Sequence, residues 1–400
     1  MKSYFLFFIF LIYAFNSNIA SVIYSDTNYV AGVTYYGNKG YTIYIAGNMP
    51  LILTAPHGGS LAPDEIPDRT YGDTDNDLLT KDMAQKLQAA IYSLTGKYPH
   101  VIINNLKRIK LDANRDSLEG AQGNSYALQT WKEYHGFIKY AKQSIISSSG
   151  KGLLLDLHGH GHTKQRIELG YLLSSELGNT DEALNGTYYI NQTSIKNLVN
   201  TNSCGEKLSQ IIRGANSLGT LLRKAGYPAV PSDSISTPGT DDYFEGGYTT
   251  QTYGSMNSGT LDAIQVEHNK TRIRDSEANL NAYIAVSAPI IIKYLNYYYS
   301  SSTISVNTEK ILTADYYLMQ NYPNPFNPST KISFTLSNSS YVRITIIDLL
   351  GREISRPVDQ KLYAGTYTVN FNGANLPSGI YLYRMETDKS AVTKKMILVK

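Results

Sequence analysis

The stretch Leu153-Leu154-Leu155-Asp156-Leu157-His158-Gly159-His160-Gly161-His162 decides the reading of this chain. Its apolar run is too short for a helix of ordinary length and is followed by glycine-spaced polar residues, so it predicts a buried strand ending in a polar edge. A second stretch repeats the design, Leu51-Ile52-Leu53-Thr54-Ala55 running into Pro56-His57-Gly58-Gly59. Further strand-like runs lie at Val101–Asn104, Leu169–Leu173 and Ala263–Glu267, and helical patterns at Asn76–Leu94, Tyr126–Ser147, Lys207–Ala225 and Ser276–Tyr299. Alternating strands and helices predict an α/β domain with a mixed sheet flanked by helices over residues 21–299. In such sheets ligands bind beyond the carboxyl ends of the strands, which is where His57 and His158 fall.

Composition narrows the chemistry. The 400 residues carry 36 Lys+Arg against 33 Asp+Glu without a basic block, which argues against a nucleic-acid partner. A single cysteine, Cys204, excludes an intramolecular disulfide and a multi-cysteine zinc site, so any metal must rest on histidine and carboxylate. One strand-end histidine is more often structural than functional. Two of them on buried strands with glycine neighbours predict a zinc site, whose third ligand is a carboxylate. Glu65 is the first choice, since it follows His57 on the same loop, with Asp64, Asp73 and Asp75 as rivals. His160 and His162 read as neighbours of the ligands or as substrate-facing groups.

Two more elements supply charge. Arg108-Ile109-Lys110-Leu111-Asp112-Ala113-Asn114-Arg115 offers two guanidinium forks for a substrate carboxylate or a developing oxyanion, although Asp112 could instead pair with one of them structurally. Leu261-Asp262-Ala263-Ile264-Gln265-Val266-Glu267-His268 ends an apolar strand on a carboxylate. Desolvation makes that costly unless a charge or metal is near, so Glu267 reads as a general base. The alternative is an ion pair with Arg272 or Arg274.

The two ends read differently. Met1-Lys2, an apolar run from Tyr4 to Phe15 and a small residue at Ala20 predict a secretory signal peptide over residues 1–20. No permanent membrane span is expected, since the run is shorter than the ~20 residues a spanning helix needs. Residues 300–314 read as a polar linker. Beyond it the pattern becomes period-two, with strands expected at Lys331–Leu336, Tyr341–Ile347, Arg352–Val358, Thr366–Phe371, Gly379–Glu386 and Val392–Val399, a small C-terminal β-sandwich.

Asn321-Tyr322-Pro323-Asn324-Pro325-Phe326-Asn327-Pro328, Ile347-Asp348-Leu349-Leu350-Gly351-Arg352-Glu353, Leu376-Pro377-Ser378-Gly379-Ile380-Tyr381 and Lys394-Lys395-Met396-Ile397-Leu398-Val399-Lys400 follow one another in this end of the chain. With these motifs residues 315–400 resemble the C-terminal sorting domain of type IX secretion cargo. The resemblance implies a type IX machinery partner and delivery to the cell surface or medium. In the larger segment, Pro56-His57-Gly58-Gly59, Asp112-Ala113-Asn114-Arg115, Asp156-Leu157-His158-Gly159, Glu168-Leu169-Gly170, Gly246-Gly247-Tyr248-Thr249-Thr250 and Gln265-Val266-Glu267 are similar to the ordered motifs of N-formylglutamate amidohydrolases. That resemblance implies a zinc carboxypeptidase-like fold, with His57 and His158 as zinc ligands and Glu267 as base. It makes Arg108, Asn114 and Arg115 carboxylate or oxyanion binders, with Tyr248 or Tyr253 over the substrate. The expected substrate is an N-acyl amino acid or carboxylate-bearing peptide. Zinc carboxypeptidases place Glu three residues after the first histidine, and this chain has Ser60 there. The alternatives are a metallocarboxypeptidase or a peptidase on cell-wall or γ-glutamyl peptides, and a non-catalytic surface binding protein.

Overall fold

A computed structural model describes residues 28–173, 180–299, 316–318, 321, 323–336, 339–363, 365–388 and 391–400. The expected signal peptide and linker lie outside them. The first strands are β1 (Thr34–Tyr36), β2 (Thr42–Ile45), β3 (Leu51–Ala55), β4 (His100–Asn104), β5 (Gly152–Gly159), β6 (Ile167–Gly170), β7 (Ala229–Val230) and β8 (Leu261–His268). They form one mixed sheet in the order β1-β2-β4-β3-β5-β8-β6-β7. The central four, β4-β3-β5-β8, run parallel, and β2 and β6 flank them antiparallel.

Both faces are covered. Leu153, Leu155, Leu157, Ile264 and Val266 pack in one buried cluster with Met83, Leu87 and Ile91 of helix α1 (Thr80–Thr95). These α1 residues recur every fourth position, the period that puts them on one side of a helix. Ile52, Leu154 and Ala263 face the other way, against Tyr134, Phe137, Ile138 and Ala141. Helix α2 (Ser117–Ala121) precedes α3 (Ser125–Ser149), which carries those four residues and is capped by the Asn124 side chain. Each fully buried Leu or Ile contributes about 1.5–3 kcal/mol.

Short helices α4 (Asp181–Leu184), α5 (Thr187–Gln192), α6 (Lys196–Thr201), α7 (Leu208–Arg213) and α8 (Leu218–Lys224) lead to β7. The single helix expected over Lys207–Ala225 is thus two, because Gly214 ends the first and Ser217 caps the second. Helix α9 (Tyr248–Tyr253) precedes β8, and α10 (Glu277–Tyr298) closes the segment. The strand expected at Leu169–Leu173 is displaced to Ile167–Gly170, and Leu172 has a positive φ of 60° that extended backbone does not allow. Among the described residues no helix is long and apolar enough to cross a membrane.

The C-terminal strands are β9 (Tyr316–Leu318), β10 (Ser329–Leu336), β11 (Ser340–Ile347), β12 (Glu353–Leu362), β13 (Gly365–Asn372), β14 (Gly379–Thr387) and β15 (Ala391–Leu398). They form antiparallel sheets β13-β10-β9 and β12-β11-β14-β15. Ile332 and Phe334 of one share a core with Ile344, Ile346, Tyr383, Met385 and Met396 of the other, which makes a β-sandwich.

Candidate metal centre

Strand register builds the site. Thr54 of β3 lies opposite Asp156 of β5, Asp156 opposite Gln265 of β8, and one rung higher His158 opposite Glu267. Side chains two apart on a strand share a face, so Asp156 with His158 and Gln265 with Glu267 form one patch at the carboxyl ends of the parallel strands. His57 follows β3 at the same edge, its ring centroid 4.8 Å from that of His158.

Both imidazoles are held in the same way. His57 Nε2 lies 2.7 Å from Asp112 Oδ1, and His158 Nε2 lies 2.9 Å from Asp156 Oδ2. A carboxylate accepts, so each ring carries a proton on Nε2 and turns Nδ1 inward, the nitrogen that donates when protonated and would offer its lone pair to a metal ion in place of that proton. Both Nδ1 atoms meet one oxygen, Asp77 Oδ2, at 3.3 Å from His57 and 3.1 Å from His158. Two ligand bonds of ~2.0–2.1 Å at a tetrahedral angle put donor atoms about 3.3 Å apart, so this spacing fits a zinc ion among the three. The two imidazole nitrogens and one carboxylate oxygen all lie within 4.8 Å of one another and are buried.

The supports are themselves supported. Asp156 Oδ1 accepts from Thr54 Oγ1 at 2.6 Å. Asp112 accepts from Arg108 Nε at 2.9 Å and from the Asn114 backbone N–H at 2.9 Å. Asp77 comes in because its N–H donates to the His57 carbonyl, and because Gly58 lets the His57 loop lie on the start of α1. A Cβ at Gly58 would sit 2.4 Å from the Lys81 nitrogen.

The electrostatics favour a cation. Burial alone would raise the Asp77 and Asp112 carboxyls. The imidazoles around Asp77 hold it well below the usual carboxylate range, and His57 with Arg108 does the same for Asp112. Burial disfavours the charged form of His158, yet Asp156, Asp77 and Glu267 keep it well above the ordinary imidazole range. The negative field that retains a proton there would equally attract a divalent metal. Burial pushes Glu267 up to about 7 against the pull of His158, and the Asp77 charge adds to the rise. Its Oε1 accepts from Gln265 Nε2 at 3.0 Å, and its Oε2 is buried without a hydrogen-bond partner among the described residues.

Of the residues singled out from sequence, the structure brings together His57, His158, Glu267, Asn114 and Arg108. Glu65 is elsewhere: its carboxylate is 2.6 Å from both Lys39 Nζ and the Tyr41 hydroxyl. The carboxylate between the imidazoles is Asp77, which the sequence reading passed over. Arg108 is engaged by Asp112 and, at 2.7 Å, by Asp73. The alternative of a structural pairing with Asp112 therefore describes it. Asn114 Oδ1 accepts from the Thr249 N–H and hydroxyl, which sets its Nδ2 3.2 Å from His158 Nε2. Arg115 is part-exposed and bonded to Glu119 and to the Asn114 carbonyl. Tyr248 packs by its ring near Trp131 and His135, next to Thr249. The neighbouring Gly247 touches the site, where a Cβ would sit 2.6 Å from Asn114 Nδ2 and 2.7 Å from Gln265 Oε1.

Residues 320–400 match the family of secretion system C-terminal sorting domains. No curated protein matches the chain. Similar solved structures include an N-formylglutamate amidohydrolase from Ralstonia eutropha, at 10% identity and TM-score 0.38, covering 67% of this chain and 98% of that one. A gene product from Agrobacterium tumefaciens is similar at 11% identity and TM-score 0.37, covering 64% and 94%. PorZ, a surface component of the type-IX secretion system of Porphyromonas gingivalis, is similar at 22% identity and TM-score 0.16, covering 21% and 11%.

Proposed function

We propose that residues 21–299 form a zinc-dependent amidohydrolase that cleaves an amide bond beside a free carboxylate. In this reading residues 1–20 and 315–400 are its export signals and residues 300–314 the link between body and tail. The observation that carries the proposal is the inward convergence of two Nδ1 atoms and Asp77 Oδ2, one strand away from the unpartnered Glu267 Oε2.

His57, His158 and Asp77 would hold the zinc, which when bound polarises a carbonyl and makes water a nucleophile near neutral pH. Asp112 and Asp156 fix the two rings, and Arg108 fixes Asp112, so Arg108 is a positioning residue rather than an oxyanion donor. Glu267 takes the proton of the attacking water at Oε2, while Gln265 holds Oε1 in place. A carboxyl pushed up to about 7 by burial is suited to accept and return a proton near neutral pH. Asn114, Arg115 and Tyr248 border the ring of His158 or its neighbours, where Arg115 can fork a substrate carboxylate at the part-exposed rim. The resemblance of the six motifs to N-formylglutamate amidohydrolases supports an N-acyl amino acid as substrate.

Delivery by a sorting tail favours a second reading, a metallopeptidase acting on cell-wall or γ-glutamyl peptides. A panel of N-acyl amino acids set against peptides with free and amidated C-termini separates the two. Turnover confined to N-acyl amino acids supports the first, and turnover confined to free-C-terminal peptides the second. No zinc-dependent turnover of either class contradicts both.

A further inference from the structure

Between β8 and α10 the chain makes an irregular turn, Lys270–Arg274, and its last side chain folds back onto the carboxyl ends of the strands. Arg274 is 4% exposed. Its Nε donates to the His268 carbonyl at 2.9 Å, its Nη1 to the Leu78 carbonyl at 3.0 Å and its Nη2 to the His160 carbonyl at 3.0 Å. Each acceptor lies one or two residues from a member of the candidate metal centre: His268 follows Glu267, Leu78 follows Asp77, and His160 is two beyond His158. The ion pair with Glu267 that the sequence left open is not formed, because among the described residues the hydrogen-bond partners of Arg274 are carbonyls.

Two neighbours are shaped around this fork. A Cβ at Gly159 would sit 2.1 Å from Arg274 Cζ and 2.4 Å from its Nε and Nη1, so the glycine beside His158 lets the planar guanidinium lie flat on the backbone of β5. Leu79, next to the bonded Leu78, has a φ of 65°, a left-handed conformation that a side chain of its kind keeps only where its surroundings hold it. That turn is the one that brings Asp77 Oδ2 to both Nδ1 atoms. On one side the Asp77 N–H ties it to the His57 carbonyl. On the other side Arg274 ties it to the ends of β5 and β8.

We propose that Arg274 is a positioning residue for the metal centre, setting the spacing from the Asp77 turn to His158 and Glu267; the inference rests on the zinc reading above. One rigid planar group fixes three carbonyls that face it from three parts of the chain. A lysine ammonium is a point charge on a flexible stem and cannot reproduce that fork. Without the fork the turn at Leu79 is free to relax toward negative φ, and Asp77 Oδ2 moves away from the two imidazoles. The coupling is reciprocal: if the three bonds favour zinc, zinc favours the three bonds by the same factor.

The test follows zinc binding to the full chain by competition with a chromophoric chelator, and cobalt(II) in place of zinc by its visible spectrum, which reports the geometry of the ligands. Arg274→Lys should lower zinc affinity about 10–100-fold, the range for loss of a group that supports the ligands, and should alter the cobalt spectrum, which a residue serving only the fold would leave as it is. Gly159→Ala, which keeps Arg274 but displaces its guanidinium, should do the same. In the unaltered protein, saturating zinc should slow hydrogen exchange at Arg274 Nε–H by about the same 10–100-fold, a measurement that needs neither variant to fold. A folded Arg274→Lys or Gly159→Ala protein with wild-type zinc affinity and cobalt spectrum overturns the proposal. So does exchange at Arg274 Nε–H that zinc leaves unchanged, whereas wild-type protein that takes up no zinc removes the zinc reading itself.

Discussion

Replacing Asp112 by Asn removes the acceptor on which the orientation of His57 depends. Asp112 takes His57 Nε2–H at 2.7 Å, Arg108 Nε–H at 2.9 Å and the Asn114 N–H at 2.9 Å, all in a buried setting. An amide has one oxygen for these three donors. If that oxygen turns to Arg108, the new NH2 faces His57 Nε2, and the ring moves its proton to Nδ1, the atom that meets Asp77. If it turns to His57, the buried guanidinium loses its buried partner and keeps only the more exposed Asp73. The first outcome lowers zinc affinity 10–100-fold, the range for loss of such a support, or about 1.4–2.7 kcal/mol. The second costs about 3–5 kcal/mol of stability, typical of a broken buried pair. Competition with a chromophoric chelator reads the first, and a urea melt of the metal-free protein reads the second. A folded Asp112→Asn protein with wild-type zinc affinity and wild-type stability would contradict this role of Asp112.

Other substitutions probe the remaining parts. Glu267→Gln should keep zinc and lower kcat by about 10²–10⁴, and retained activity would exclude Glu267 as the base. Because burial raises the carboxyl and it must be ionised to accept a proton, kcat should fall about tenfold per pH unit on the acid side and level off once Glu267 is ionised. A flat profile from pH 5 to 8 contradicts that assignment. Glu65→Gln should leave the zinc titration unchanged, since Glu65 is taken by Lys39 and Tyr41; a tenfold loss would place it back in the site. Asp262 is raised by burial from 3.8 to about 6, so the folded state binds its proton more tightly than the unfolded chain. Its stabilising contribution is complete below pH 4 and lost by about pH 6, at most about 3 kcal/mol. Asp262→Asn should remove that slope from urea melts, and an unaltered slope counts against the assignment.

The strands that build the site were legible because parallel strands covered on both faces are nearly continuous apolar runs. Their polar last residues, His158 and Glu267, stand out against that background. The edge strands β1 and β2 were missed, being short and separated only by a turn. The third metal-site donor was hidden for another reason. Residues 64–77 carry Asp64, Glu65, Asp68, Asp73, Asp75 and Asp77, and proximity in sequence to His57 favoured the early members. The path of the loop decides otherwise, because it leaves His57, runs over the surface and returns at the start of α1. Arg108 looked like a substrate fork, yet Asp112 four residues on was the visible sign of a pair within the chain. The Arg274 bridge gathers carbonyls from three parts of the chain, which no local pattern announces.

The most direct test of the central claim is an anomalous difference map at the zinc absorption edge from crystals grown with the metal. One peak is expected, bonded by Nδ1 of His57, Nδ1 of His158 and one oxygen of Asp77, with both Nε2 atoms still on Asp112 and Asp156. A peak bonded through Nε2, a peak away from Asp77, or none at all would contradict it.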